Sequence, residues 1–150
     1  MCCGGAKLTA AFSFEGVPAL GVDWKGNRHD VQGPWVQLDL ATNEGQHAFL
    51  QLLGSGRALT LVWISLPCGT ATRARDIHDS PNLPQPVRSP SQPWGRTDVE
   101  ISEDDLQILS RANSLCRFAL VVVEQCEHLG IQWVIENPWN SLLWYIEEVS

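Results

Sequence analysis

The segment at residues 59–66, Leu-Thr-Leu-Val-Trp-Ile-Ser-Leu, limits what this chain can fold into more than any other segment does. It is rich in β-forming residues and almost continuously apolar, which predicts a strand that is covered on both faces. Strands of this kind occupy the centre of parallel sheets, where helices cover the two faces. We therefore expect an α/β fold with this segment as a central parallel strand.

Shorter apolar runs alternate with helical patterns on both sides of this segment. Strands are predicted at residues 19–24, 35–40 and 131–135, and helices at residues 8–14 and 47–53. A long helix should begin at Ser102, which forms a capping-box pattern with Asp105, and end at Gly130. Asn140 is predicted to cap a last helix that runs through Ile146. Strands that alternate with helices imply a parallel sheet with right-handed crossovers. The buried face of the long helix is predicted to comprise Leu106, Leu109, Cys116, Ala119, Val123 and Cys126.

A Pro-rich loop is predicted at residues 76–100, within a single domain that spans residues 1–150. Its prolines at positions 81, 84, 86, 90 and 93 exclude a regular helix or a central strand. The whole chain has a formal charge of −7, which argues against a nonspecific DNA-coating protein. The segment at residues 73–97 is nevertheless net basic, and a loop of this length is usually functional.

Several classes of protein are disfavoured by composition. No apolar run approaches the roughly 18 residues of a membrane helix, and the N-terminus lacks the pattern of a signal peptide. The chain has five cysteines, an odd number at irregular spacing, and its four histidines are scattered. This pattern indicates neither a disulfide framework nor a zinc site. We expect an intracellular protein of the nucleus or cytoplasm, with no metal site and no transmembrane segment.

The residues that directly follow the predicted strands are the candidates for function, since ligands of parallel α/β sheets bind at the carboxyl ends of the strands. An aspartate at such an end can accept hydrogen bonds from ribose hydroxyls, and an aromatic residue beside it can stack on adenine. A cysteine in electropositive surroundings can act as a nucleophile. Each residue also has a purely structural interpretation, as a turn cap, a core side chain or an inert thiol. The candidates are Asp23, Trp24, Asp39, Pro67, Cys68, Glu136 and Asn137.

Taken in order, these residues resemble the cytosine-5 DNA methyltransferases, which are S-adenosylmethionine-dependent enzymes of the Rossmann-like class. The resemblance starts at Gly4-Gly5, which resembles the end of a glycine-rich loop, and covers nearly the whole chain. It implies a Rossmann-like three-layer α/β/α sandwich with a mainly parallel sheet, and S-adenosyl-L-methionine as the cofactor. The residues that it assigns to cofactor binding are Gly4, Gly5, Asp23, Trp24, Asp39 and Pro67.

The resemblance also implies a catalytic mechanism. Pro67-Cys68 resembles the Pro-Cys-Gln loop of the family, whose thiolate adds to C6 of a flipped cytosine so that C5 can take the methyl group. Glu136, in Glu-Asn-Pro, resembles the acid of the Glu-Asn-Val segment, which pairs with a ring nitrogen of that base. Arg73 and Arg75 would provide the electropositive surroundings of the thiolate.

The predicted partner is DNA, in a complete enzyme. The arginines of the Pro-rich loop would contact its phosphates. Gly69 and Ala71 depart from the family, which has Gln and Phe there, so the target base stays open. The first strand and the later motifs of the family have no counterpart here, and we expect a partial domain with little activity of its own.

Two alternatives from other classes stay open. The first is a non-catalytic or degenerate methyltransferase-fold fragment that acts as a binding module. The second is a small-molecule or amino-group methyltransferase, because Asn137-Pro138-Trp139 resembles part of the motif of the amino-group enzymes.

Overall fold

The computed structural model describes residues 4–26, 30–56, 58–76 and 85–149. These residues form a mixed α/β structure with parallel strand pairs, as the sequence predicts. Two short 3-10 turns lie at Arg73–Asp76 and Leu142–Tyr145. In chain order, the helices and strands are α1 (Lys7–Phe14), β1 (Gly21–Asp23), β2 (Trp35–Gln37), α2 (Asn43–Leu53), β3 (Leu61–Ser65), α3 (Glu103–Leu129) and β4 (Gln132–Glu136).

The strands of the described residues form two parallel pairs, β1 with β2 and β3 with β4. The prediction that β3 is covered on both faces is wrong. Val62 and Ile64 are buried, whereas Leu61 is 39% exposed and Trp63 is half-buried. On the less buried face of β3, the Trp63 indole N–H donates a hydrogen bond to Ser65 Oγ at 3.1 Å. Alternating burial of this kind is typical of a sheet that is covered on one face.

The core is one hydrophobic cluster to which both strand pairs and helices α2 and α3 contribute. Phe49 of α2 packs edge-on against Phe118 of α3, with ring centroids 5.9 Å apart. The predicted buried face of α3 is confirmed at Leu109, Cys116, Ala119 and Cys126, and Val123 packs against the core. Leu106 is 49% exposed, contrary to the prediction. It lies in the first turn of α3, and the core cluster reaches this helix only from Leu115 onward.

The predicted ends of α3 are confirmed. Ser102 Oγ accepts a hydrogen bond from the Asp105 N–H at 3.2 Å, and Gly130 ends the helix in the left-handed region at φ 69°. The predicted last helix is wrong: Ser141, not Asn140, caps a 3-10 turn of four residues. The reason is tertiary, since the N–H of Leu142 donates to the Ala71 carbonyl at 2.8 Å and ties this segment to the loop after β3.

Helix α3 has the length and composition of a membrane-spanning helix, which the inspection of apolar runs did not predict. Of the described residues, it is the one helix that passes this test, and 33% of its most apolar window is buried. This is weak evidence, because the core helix of a globular protein passes the same test. The segment from Leu115 to Cys126 packs into the core here, so the predicted intracellular location stays a prediction.

Candidate functional site

A cavity of about 660 Å³ lies at the carboxyl ends of β1, β2 and β3, where parallel α/β proteins bind their ligands. Helix α3 forms another part of its wall, through Ile108, Arg111, Ala112 and Leu115. Gly5 is not one of the lining residues, and its carbonyl accepts the Gln32 N–H at 2.9 Å. The predicted site residues that do line the cavity are Gly4, Asp23, Trp24, Asp39, Pro67 and Cys68.

Asp23 connects the glycine turn to the end of β1. Its Oδ2 accepts the Gly4 N–H at 2.8 Å, and its Oδ1 accepts the Trp24 N–H at 2.9 Å. Gly4 has φ 51°, in the left-handed region that glycine adopts without steric cost. Each carboxylate oxygen has a second lone pair. Asp23 can therefore hold the turn in place and still accept a hydrogen bond from a hydroxyl group in the cavity.

Trp24 is 40% exposed, and a cation contacts its indole ring. Arg111 Cζ, on helix α3, lies 4.2 Å from the ring centroid, which is cation–π geometry. Gly26 also lies against the ring, because a Cβ at this position would come within 2.4–2.6 Å of three ring atoms. The aromatic surface that the sequence assigns to adenine is thus in contact with the protein itself.

Asp39 forms an ion pair with the same arginine, Arg111. Its Oδ1 accepts Arg111 Nη2 at 2.7 Å and the Ala41 N–H at 3.0 Å. Partial burial raises the pKa of Asp39, but the hydrogen bond from Arg111, the Ala41 N–H and the positive charges of Arg111 and Lys25 lower it more. The pKa of Asp39 therefore lies below its ordinary value, and the carboxylate is ionised at neutral pH.

Cys68 lies on the turn that follows β3, as a half-buried free thiol. Its carbonyl accepts the N–H groups of Ala71 and Thr72 at 2.9 and 2.8 Å, which closes the chain into a tight turn. Asn137 Nδ2, just beyond β4, donates to the Leu66 carbonyl at 2.9 Å and ties the ends of the two strands together.

Glu136 is the last residue of β4 and pairs in register with Ser65, but it is not one of the lining residues of the cavity. Cys68 and Glu136 thus lie near the ends of neighbouring strands, while only Cys68 lies in the cavity wall. Trp139, of the Asn-Pro-Trp sequence, is 90% exposed.

The two arginines predicted beside the thiol make other contacts. Arg75 donates to the Gly69 carbonyl at 2.9 Å and, through Nη1, to Asp105 at 3.0 Å. It therefore clamps the thiol turn to the start of α3. Arg73 is exposed, with Nη1 3.8 Å from the Asp76 carboxylate. Their action on the Cys68 thiol stays a prediction.

The prediction that the arginines of the Pro-rich loop contact DNA phosphates is wrong for Arg88, which is only 1% exposed. Its Nε donates to Thr70 Oγ1 at 3.1 Å and its Nη1 donates to the Pro93 carbonyl. Burial lowers the pKa of Arg88 to about 10. It is a structural anchor that joins the Pro-rich loop to the turn of Cys68. Arg96 pairs with the exposed Asp98 at 2.8 Å.

Arg111 is the residue that sequence reasoning missed. It belongs to no local motif, and its partners Trp24 and Asp39 are far away in the sequence. No three His, Cys, Asp or Glu side chains of the described residues gather into a group that could hold a metal ion. No protein-family model matches the chain, and no curated protein or solved structure is significantly similar to it. The function is therefore inferred from the residues and their geometry.

Proposed function

We propose that this chain binds S-adenosyl-L-methionine in the cavity and presents Cys68 for methyl transfer to a cytosine of DNA. In this proposal the two parallel strand pairs belong to a Rossmann-like three-layer sandwich. One observation carries it. Of the segments that line the cavity, the four outside α3 supply a glycine turn, two carboxylates, an aromatic ring and a thiol. The resemblance to cytosine-5 methyltransferases assigns these groups, in the same chain order, to cofactor and base.

The lining residues fit a ligand of the adenosine type. The Trp24 ring suits stacking on adenine, and the free lone pairs of Asp23 suit ribose hydroxyls. Asp39 offers an acceptor for the adenine amino group, once Arg111 gives way. The cavity of about 660 Å³ lies in the size range of small-molecule sites, roughly 300–1,000 Å³. S-adenosylmethionine, when bound, supplies an activated methyl group.

The chemistry at the base would depend on Cys68 and Glu136. The thiolate adds to C6 of a flipped cytosine, and Glu136 interacts with the ring nitrogen to favour this addition. The electron pair released toward C5 would then attack the sulfonium methyl group, and the bond from this methyl carbon to sulfur would break, so that S-adenosylhomocysteine leaves as the thioether. Loss of the C5 proton to a base and elimination of the thiolate restore the aromatic ring.

Cofactor binding is tested first, by calorimetric titration of S-adenosylmethionine into the purified chain after its cooperative unfolding is established. We expect saturable binding that Asp23→Ala abolishes, because the variant loses the acceptor and the link to Gly4. Asp98→Ala is the control, since Asp98 is exposed and pairs with Arg96 away from the cavity. A folded chain that does not bind the cofactor overturns the proposal.

The catalytic step is tested separately, with DNA that contains 5-fluorocytosine. The fluorine blocks loss of the C5 substituent, so a covalent complex through Cys68 should accumulate when the cofactor is present. Cys68→Ser should form none. Cofactor binding without any adduct rejects the cytosine-5 reaction.

A non-catalytic binding module is the second candidate, and two observations favour it. Glu136 does not line the cavity, and the Arg75 guanidinium is engaged by the Gly69 carbonyl and Asp105. This candidate predicts cofactor binding without an adduct, and a Cys68→Ser variant that binds like the wild type.

A further inference from the structure

Arg111 extends from helix α3 onto two groups that the proposed function assigns to adenine. Its Cζ lies 4.2 Å from the Trp24 ring centroid, and its Nη2 lies 2.7 Å from Asp39 Oδ1. All three side chains line the same cavity. One guanidinium therefore covers aromatic surface and binds a carboxylate in the cavity wall.

A purine that stacks on the face of the indole ring occupied by Arg111 needs the same surface as the guanidinium. Guanidinium groups are planar and stack on aromatic faces, as a purine does. Gly26 lies against the Trp24 ring as well, which further limits the surface left for a ligand. The Asp39 oxygen that binds Arg111 also accepts the Ala41 N–H, so its capacity for another donor is small.

The contact is weak enough to be replaced. The Arg111 and Asp39 side chains are 35% and 33% exposed, so water and salt screen the pair. Long side chains of this kind change rotamer without any movement of the helix that carries them. The contact can thus open when a ligand with a better fit enters.

We propose that Arg111 is a built-in competitor for the adenine site, whose guanidinium must leave Trp24 and Asp39 before a purine ligand binds. This inference rests on the proposed function, because it concerns the regulation of the same cavity. It makes Arg111 a residue that sets the affinity for the ligand. The affinity should rise when the contact with Trp24 and Asp39 is weakened, by substitution or by salt.

Helix α3 offers a matched control. Arg117 Cζ lies 4.7 Å from the Trp94 ring centroid, so it forms a second cation–π pair on the same helix. Neither Arg117 nor Trp94 lines the cavity. Arg117→Gln therefore removes the same charge and the same kind of contact as Arg111→Gln, but outside the proposed site.

The test is calorimetric titration of S-adenosylhomocysteine into the wild type, Arg111→Gln and Arg117→Gln. We expect roughly threefold to thirtyfold tighter binding by Arg111→Gln, from the loss of one exposed ion pair and one cation–π contact. Arg117→Gln should bind like the wild type. Higher salt should strengthen binding by the wild type and leave Arg111→Gln unchanged, because only the wild type has the pair to screen.

A second measurement does not need a ligand. The Nε–Hε signal of Arg111 in an NMR spectrum should be shifted by the Trp24 ring current, and Trp24→Leu should remove that shift. An Arg111 signal that does not respond to Trp24→Leu overturns the inference, whatever the titrations show.

The titrations separate failure of the inference from failure of the proposed function. Equal or weaker binding by Arg111→Gln, with a wild type that binds, rejects the competition and leaves the proposed function in place. Binding by Arg111→Gln alone supports the competition strongly. No binding by either folded protein rejects the purine site, and the competition with it.

Discussion

Gly45, in the first turn of α2, gives the sharpest test of how the cavity is built. A Cβ at this position would lie 2.0 Å from the carbonyl oxygen of Asp39 and 2.5 Å from its carbonyl carbon. Both atoms belong to the backbone, so a change of rotamer cannot relieve the clash. The start of α2 or the segment of Asp39 has to move, and we expect Gly45→Ala to destabilise the fold.

Two opposing effects decide the size of the change. Alanine is favoured over glycine inside a helix by about 1 kcal/mol. Overpacking of a close contact costs about 1–3 kcal/mol, and this contact is at the severe end because it involves backbone atoms. We therefore expect Gly45→Ala to lower the free energy of unfolding by about 1–2 kcal/mol.

Gly54→Ala is the matched control, because it makes the same glycine-to-alanine change at the other end of α2. Gly54 has φ −80°, which alanine adopts easily, and a Cβ there would lie 3.5 Å from the Leu50 carbonyl oxygen. We expect it to be neutral or to stabilise by up to about 1 kcal/mol. Urea unfolding, followed by circular dichroism, measures both variants. If Gly45→Ala is as stable as Gly54→Ala, the close contact between α2 and Asp39 does not exist.

Three further predictions follow from single contacts. Because the pKa of folded Asp39 lies below its ordinary 3.8, this carboxylate stabilises the fold above that pH and ceases to do so as the pH falls through the folded pKa. The difference in urea stability between the wild type and Asp39→Asn should thus shrink on acidification from pH 6 to pH 3, and a constant difference would contradict the ion pair. Ser102→Ala should cost about 1 kcal/mol in urea unfolding, because the cap of α3 is lost, whereas Ser102→Thr should keep most of it. In the native protein, iodoacetamide should alkylate Cys68 before Cys116 and Cys126, since burial raises the pKa of both buried thiols; peptide mass spectrometry would refute this if either reacts first.

The loop that carries Cys68 is held by contacts from distant segments. Arg88 fixes it to the Pro-rich loop through Thr70, and Arg75 fixes it to the start of α3 through Gly69 and Asp105. The Leu142 N–H adds a third tie, to the carbonyl of Ala71. A nucleophile needs a defined position more than a flexible one. This anchoring is consistent with a positioned thiol. It also explains why the guanidinium groups of Arg75 and Arg88 do not face a partner, since both are engaged in these contacts.

Local chemistry determined where helix α3 begins and ends. The Ser102 cap and the Gly130 terminus of α3 could be predicted, because each depends on backbone preferences within a few residues. That Asp23, Asp39 and Cys68 line one cavity could be predicted from their places after strands, because the ligand cavities of parallel α/β proteins lie at the carboxyl ends of the strands.

Only the tertiary structure decided what each charged or apolar side chain touches. The exposure of Leu106 and Leu61, the burial of Arg88 and the position of Arg111 on Trp24 depend on which surfaces meet across the fold. Local preferences carry no information on such contacts, since an arginine has the same helix propensity whether it faces water, a carboxylate or an indole ring. The sequence thus indicated where the cavity lies, and long-range packing decided which of its lining groups are already engaged.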